Sequence, residues 1–292
     1  MIGEGEALDI LTWGALALAL PAAGFGCLLW LLFQDKLFGF SSRFRFLPGQ
    51  DRSEPPLWSG LDVFLGIVLF IFGQLIFPVL IAQLAGSDAL STGAELLLSS
   101  IGSTMLLVLF IVSRVGGKLA QPYQTLGLAR TPLSNLAMTL LVYAVAFIPL
   151  VFLSSLWQIL LRVSFSMEFP AQEAVEVFRS AARARDWMSL GMLGFVAVVL
   201  APVSEELLFR GLLYGWIRAR WGPWLGALLC GGLFALVHFS VSSFGPLCAL
   251  GMLLCAIVEK TRSLYPAMFF HAVFNFVSTS VLILGSLAGP PR

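Results

Sequence analysis

Two adjacent glutamates, Glu205 and Glu206, interrupt a strongly apolar stretch of the chain and are followed by Arg210. Residues four apart lie on one face of a helix, so Glu206 and Arg210 are placed to form an ion pair. Such pairing would offset much of the cost of removing both charges from water. Glu205 points about a quarter of a turn away and has no local partner. Its carboxylate is therefore available for acid–base chemistry.

The chain has two histidines, and both lie in later apolar stretches. His238 follows Phe234 by one helical turn, and His271 precedes Asn275 by one turn, so each pair shares a helix face. Ionisable residues inside membrane spans are rare and mark functional sites. We therefore expect the polar groups of the three stretches to converge on one another.

The composition is that of a membrane protein, with 59% hydrophobic and 11% charged residues. Soluble domains carry about a quarter charged residues, so a soluble globular protein is excluded. Segments of about 20 apolar residues can cross a bilayer as helices. We predict an all-α, polytopic membrane protein of about eight transmembrane helices with a buried polar active site. The predicted spans are 8–33, 58–84, 94–113, 134–161, 188–217, 222–240, 244–259 and 264–286.

The chain divides into three predicted regions. Residues 1–133 hold N-terminal transmembrane helices and hydrophilic connectors, 134–187 a transmembrane helix and an amphipathic segment, and 186–283 the core with the polar motifs. Within 162–187, apolar and charged residues separate at helical spacing, which indicates a helix at the membrane interface. That helix either only joins two spans or gates a substrate.

Basic residues indicate the orientation, because cytoplasmic connectors carry an excess of Lys and Arg. With the N-terminus outside, eleven lie in the cytoplasmic connectors and five outside: Lys36, Arg43, Arg45, Arg52, Arg114, Lys118, Arg130, Arg218, Arg220, Lys260 and Arg262 inside; Arg162, Arg179, Arg183, Arg185 and Arg292 outside. We predict a multi-pass protein of the cell or inner membrane with both termini outside. The net charge of +1 and the lack of a basic run give no sign of a nucleic-acid partner.

The three polar groups resemble the motifs of the CAAX prenyl protease type II and bacteriocin-processing (CPBP) family of intramembrane endopeptidases. That family carries E-E-x-x-x-R, F-x-x-x-H and H-x-x-x-N in this order. Here they stand as Glu205-Glu206 with Arg210, Phe234 with His238, and His271 with Asn275. The resemblance covers roughly residues 186–283. It implies an eight-helix membrane protease; the best-known members trim the last three residues from prenylated CAAX proteins, and bacterial relatives are associated with bacteriocin maturation or immunity.

Peptide hydrolysis needs an activated water and donors that stabilise an oxyanion. Glu205 suits the general base, and His238 can orient the water or share its proton. His271 and Asn275 can donate hydrogen bonds to the oxyanion. Glu206, Arg210 and Phe234 would support these four residues. The expected partners are the lipid bilayer and a peptide or protein substrate that is membrane-tethered or carries a CAAX-like C-terminus.

Three alternatives stay open. Two histidines and a glutamate are a known catalytic zinc set, so a metalloprotease would use Glu205, His238 and His271. The familiar H-E-x-x-H is absent and Asn275 is a poor zinc ligand, which favours a mechanism without a cofactor. Alternatively, the polar groups only fix helix packing, as in a non-enzymatic scaffold or bacteriocin-immunity factor, or they form a proton relay in a transporter.

Overall fold

The computed structural model describes residues 23–30, 58–86, 90–114, 126–128, 131–166 and 169–288. These ranges are helical with short turns and contain no strand, so the all-α prediction is confirmed. Most of the predicted span 8–33 and the connector 34–57 lie outside the described residues. The helices are α1 (23–30), α2 (Gly60–Ala85), α3 (Thr92–Arg114), α4 (Leu133–Phe165), α5 (Glu173–Arg183), α6 (187–221), α7 (223–236), α8 (Val241–Thr261) and α9 (Leu264–Ala288).

The helices α6 and α7 form a hairpin out of one apolar run, Trp187–Leu236, which contains 50 residues. A straight helix of that length would measure about 75 Å, far more than one bilayer crossing needs. The run breaks at Gly222, whose φ of 77° and ψ of 174° are non-helical. Beyond the break the chain folds back on itself. The close approach shows this, since a Cβ on Gly226 would lie 3.2 Å from the Cα of Arg218. The two arms correspond to the predicted spans 188–217 and 222–240.

Six helices in the described ranges are long and apolar enough to cross a membrane, with Trp187–Leu236 taken as one of them. A polytopic membrane protein is therefore confirmed. The number of eight crossings stays a prediction, because most of the first span is outside the described residues.

The helices α7 and α8 approach each other closely through two glycines. A Cβ on Gly231 would lie 2.6 Å from the Cys248 carbonyl oxygen, and a Cβ on Gly251 would lie 2.6 Å from the Cα of Gly231. Side chains larger than hydrogen do not fit at such distances. This contact brings the main chain of α8 beside the polar residues of α6.

One end of the helix bundle gathers several connections. Glu259, near the end of α8, accepts hydrogen bonds from Arg218 at 2.6 and 2.7 Å and pairs with Arg262 at 3.2 Å. The main-chain N–H of Leu264 donates to the carbonyl of Gly127 at 2.8 Å. The turn at 222, the loop 126–128 and the α8–α9 connection therefore share this end, which we call the basic end.

The opposite end carries the start of α5 and the α7–α8 connection. The Ser242 hydroxyl donates to the Pro170 carbonyl at 2.8 Å, and the Trp157 indole donates to the Val241 carbonyl, also at 2.8 Å. The predicted amphipathic helix is present as α5, and its buried Phe178 packs in one cluster with residues of α6. The segment 169–183 therefore covers the end of the bundle that is opposite the basic end.

Candidate active site

A buried carboxylate, Glu206, lies at the centre of a charged cluster. Arg210 donates to Glu206 Oε1 at 2.8 Å through Nη1, and both side chains are fully buried. The second guanidinium nitrogen, Nη2, donates to the Gly251 carbonyl at 3.1 Å. His271 Nδ1 donates to the same Oε1 of Glu206 at 2.9 Å. The predicted i,i+4 pair is thus present, and it extends to α8 and α9.

The buried ring of Phe234 joins this cluster to both histidines. Its centroid lies 4.8 Å from that of His238 and 5.8 Å from that of His271, the latter in an edge arrangement. The guanidinium carbon of Arg210 lies 4.6 Å from the same centroid, which is a cation–π distance. Phe234 therefore packs between groups from α6, α7 and α9.

Glu205 borders a cavity of about 700 Å³ together with His238. Its side chain is 13% exposed, and Oε2 lies 3.8 Å from His271 Nε2, too far for a hydrogen bond. Within the described part of the chain, that oxygen has no hydrogen-bond partner. His238 donates through Nδ1 to the Phe234 carbonyl at 2.7 Å, which leaves Nε2 free to act at the cavity. A carboxylate and an imidazole nitrogen are thus both available to a molecule bound there.

The walls of the cavity come from four places in the chain. They are the segment 169–174, the turn 237–241, the part of α6 around Glu205, and the facing residues of the packed pair α2 and α3. The beginning of α5 therefore borders the cavity and is more than a linker on the protein surface. The N-terminal helices carry no family motif, and sequence reasoning did not assign their Gln74, Ser100 and Thr104 to the site. Ser100 and Thr104 are four apart, and that spacing was the available signal.

Asn275 bonds to a main-chain carbonyl of α6 that receives no hydrogen bond from within the helix. The N–H of Ala201 bonds to Val196 five residues back, in a π-helical turn, and Pro202 has no N–H. The Ala197 carbonyl thus lacks a donor from the following turn, and Asn275 Nδ2 donates to it at 2.8 Å. This bond fixes α9 about two turns before Glu205. One N–H of the Asn275 amide remains uncommitted in the described structure.

The residues expected for a metal do not form a ready three-ligand centre. Both histidines use Nδ1 within the protein and keep Nε2 as the single available nitrogen. His238 and Glu205 border the cavity, whereas His271 does not. Among the described residues, no three His, Cys, Asp or Glu side chains lie close enough to hold a metal ion. The present arrangement does not fit a zinc site, and metal independence stays a prediction.

Comparison with known proteins assigns this part of the chain to a family. Residues 187–277 match the family described as "Type II CAAX prenyl endopeptidase Rce1-like". The match covers this segment, about a third of the chain. It contains all seven motif residues, from Glu205 to Asn275. The resemblance seen in the sequence is therefore confirmed, and the family is one of endopeptidases.

The chain is also similar to an "Uncharacterized 24.3 kDa protein" of Escherichia coli. The two are 48% identical over 42 residues, which is 14% of this chain and 19% of that protein. The similar part thus spans about a fifth of the relative's length. No solved structure matches the chain.

Proposed function

We propose that the chain is an intramembrane endopeptidase that hydrolyses peptide bonds with a water molecule activated by Glu205 and His238. The observation that carries this proposal is the Glu205 carboxylate, whose Oε2 is unpartnered in the described structure and borders the same cavity as His238. A base must come within hydrogen-bond reach of the proton that it removes. The proposal requires that a water in the cavity lie within this reach of both residues.

The charges of the cluster suit this chemistry. Glu206 is paired with Arg210 and accepts from His271, which leaves Glu205 Oε2 without a protein partner in the described ranges. Glu205 then takes a proton from the water while the water oxygen bonds to the substrate carbonyl carbon. The negative charge moves from Glu205 to the carbonyl oxygen, and the total is unchanged. Hydrogen-bond donors placed next to that oxygen would stabilise it.

In the same proposal, His271 and Asn275 donate hydrogen bonds to the oxyanion. His271 would use Nε2–H, the nitrogen that faces Glu205, and Asn275 its second amide N–H. When the C–N bond breaks, the proton held by Glu205 passes to the leaving amine, which restores the carboxylate. Glu206, Arg210 and Phe234 act through these residues by holding them in place.

The proposed substrates are membrane-associated peptides or CAAX-like C-terminal peptides. The description of the matching family supports this class of substrate. The cavity is also bordered by helices that are long enough to span a bilayer. The rival function is a non-enzymatic scaffold or immunity factor. The bonds of Glu206 to α9 and of Arg210 to α8 favour it, since they would fix helix packing with or without catalysis.

The test is unbiased peptide profiling of the purified full-length chain in detergent or liposomes. The wild-type protein is expected to cleave a subset of peptides, and Glu205→Ala is expected to abolish this cleavage. The matched control is Glu176→Ala, which removes an exposed carboxylate on α5 that pairs with Arg179 and does not border the cavity. Equal cleavage by wild type and Glu205→Ala would overturn the mechanism. Absence of cleavage by a folded wild-type protein would favour the scaffold.

A further inference from the structure

The α3 helix carries two pairs of hydroxyl side chains that behave differently. Ser99 and Ser103 are buried, and each donates to the carbonyl four residues back, Ser99 to Glu95 at 2.7 Å and Ser103 to Ser99 at 2.6 Å. Ser100 and Thr104 border the cavity of Glu205. Within the described structure, neither of these two hydroxyls makes a hydrogen bond to the protein.

The neighbouring helix α2 adds a third group of the same kind. Gln74 borders the same cavity, and its amide also has no protein partner in the described ranges. The helices α2 and α3 are tightly packed at this level, since a Cβ on Gly73 would lie 2.8 Å from the Cβ of Ser103. We call Gln74, Ser100 and Thr104 the polar wall.

If the polar wall faced only lipid or apolar side chains, its hydrogen-bonding groups would stay unsatisfied, at a cost in free energy. Serine and threonine in membrane helices commonly bond to the carbonyl four residues back, as Ser99 and Ser103 do here. An unpaired polar group in hydrocarbon is strongly unfavourable. The wall is therefore directed at an occupant that supplies hydrogen bonds, namely water or a polar ligand of the cavity.

We infer that the polar wall binds the main chain of the substrate opposite Glu205 and His238. This inference rests on the proposed peptidase function. A helical segment satisfies its own N–H and C=O groups and offers few of them to such a wall. An extended segment presents one donor and one acceptor at each residue. The substrate is therefore a peptide that is unwound at the cleavage site and held by its backbone.

The first experiment measures steady-state hydrolysis of one cleaved peptide by the double variant Ser100→Ala/Thr104→Val. Loss of two hydrogen bonds is expected to raise KM about 10-fold, with kcat nearly unchanged, as for binding lost equally in ground and transition states. The control is Ser99→Ala/Ser103→Ala, which removes buried hydroxyls one residue away. It is expected to leave KM within about twofold, because its hydroxyls bond within α3.

The second experiment shows whether the wall meets the backbone. Peptides N-methylated at single positions near the scissile bond lose one main-chain donor and are compared with the unmodified peptide. At the position that contacts the wall, methylation should weaken binding about 10-fold in the wild type. The same methylation should cost much less in the double variant, since the partner is already missing. Equal penalties in both proteins at every position would overturn the inference.

Two outcomes separate this inference from the function on which it rests. If Glu205→Ala cleaves as well as the wild type, the proposed function fails. If Glu205→Ala is inactive while the double variant has a normal KM, the polar wall contacts only water and the inference alone fails. If the double variant does not fold, the single variant Gln74→Leu on the other helix takes its place with the same expectations.

Discussion

At the scale of single residues, Glu206 determines the electrostatics of the site. Its Oε1 accepts from Arg210 at 2.8 Å and from His271 at 2.9 Å, and its side chain is fully buried. A carboxylate in such a place depends on both donors, because removing one partner of a buried pair leaves an uncompensated charge.

Replacement of Arg210 by leucine should therefore destabilise the fold. Arg210→Leu leaves Glu206 with His271 alone and is expected to cost about 3–5 kcal/mol, with a lower melting temperature in detergent and loss of activity. The control is Arg179→Leu, whose ion pair with Glu176 is partly exposed and should contribute about 0–1 kcal/mol. If Arg210→Leu were inactive yet melted like the wild type, Arg210 would belong to the chemistry and not to the support of Glu206.

The oxyanion donors make a kinetic prediction. His271→Ala and Asn275→Ala should each lower turnover by up to ~10²–10³-fold, as for lost oxyanion donors, without altering metal content. Initial rates at saturating peptide, with elemental analysis of the same samples, measure both quantities. A rise in KM at unchanged turnover would instead place the two side chains in substrate binding.

Metal dependence is tested on the unmodified protein. We expect less than stoichiometric zinc and activity that survives prolonged exposure to a membrane-permeant chelator, because the proposed base and donors are all side chains. A zinc enzyme loses its activity when the metal is removed. One tightly held zinc per chain, lost together with activity in His238→Ala, would make the site a metalloprotease.

Residue spacing predicted part of this site. The pairing of Glu206 with Arg210 follows from four-residue spacing, since both residues are on one helix. The carbonyls of Gly251 and Ala197 could not be predicted as acceptors, because every residue has a carbonyl and only the fold selects which ones are used. The role of Ala197 depends on the π-helical turn and on Pro202, which together leave that oxygen without a helical donor.

At the scale of elements, the contact between α7 and α8 positions the guanidinium of Arg210. Its Nη2 bonds to the carbonyl of Gly251, and a Cβ on Gly251 would lie 2.6 Å from the Cα of Gly231. The partner atoms are main-chain atoms, so a small rotation of a side chain cannot relieve an added methyl group. Any added volume must move one helix.

Two adjacent glycines of α7 provide a matched test of this contact. Gly231→Ala should separate α7 from α8, lower the melting temperature and reduce activity, because its Cβ would lie 2.6 Å from a carbonyl oxygen. Gly232 has nothing within 4 Å of a Cβ. Gly232→Ala should therefore be neutral or stabilise the helix by up to about 1 kcal/mol. Equal melting temperatures for Gly231→Ala and wild type would show that this contact is loose.

The sequence predicted the positions of helices along the chain better than the contacts between them. The predicted spans separated α6 from α7 because Arg218 and Arg220 lie between two apolar stretches. The helical spacing of apolar residues indicated α5 but did not distinguish a linker from a cavity wall. That choice depends on bonds made across the bundle, such as the one from Ser242 to the Pro170 carbonyl.

At the scale of the whole molecule, the two ends of the bundle differ in charge and in access to the site. Arg218 and Arg262 meet at Glu259 on the basic end, and Arg114 pairs with Asp62 where α3 ends and α2 begins. The segments 169–174 and 237–241 border the cavity near the other end. An excess of Lys and Arg marks cytoplasmic connectors, so we expect the cavity to lie on the side of the membrane away from the cytoplasm.

The last prediction is the orientation itself. With the basic end inside, we expect both termini outside, and reporters that are active only outside the cytoplasm should be active when fused to either one. In a Cys27→Ser background, which removes an exposed thiol, Ala171→Cys at the cavity and Ala219→Cys beside Arg218 serve as a matched pair, because both alanines are exposed. An impermeant thiol reagent applied to intact cells should label Ala171→Cys and spare Ala219→Cys until the cells are lysed. The reverse pattern would place the cavity on the cytoplasmic side, and substrates would then reach Glu205 from the cytoplasm.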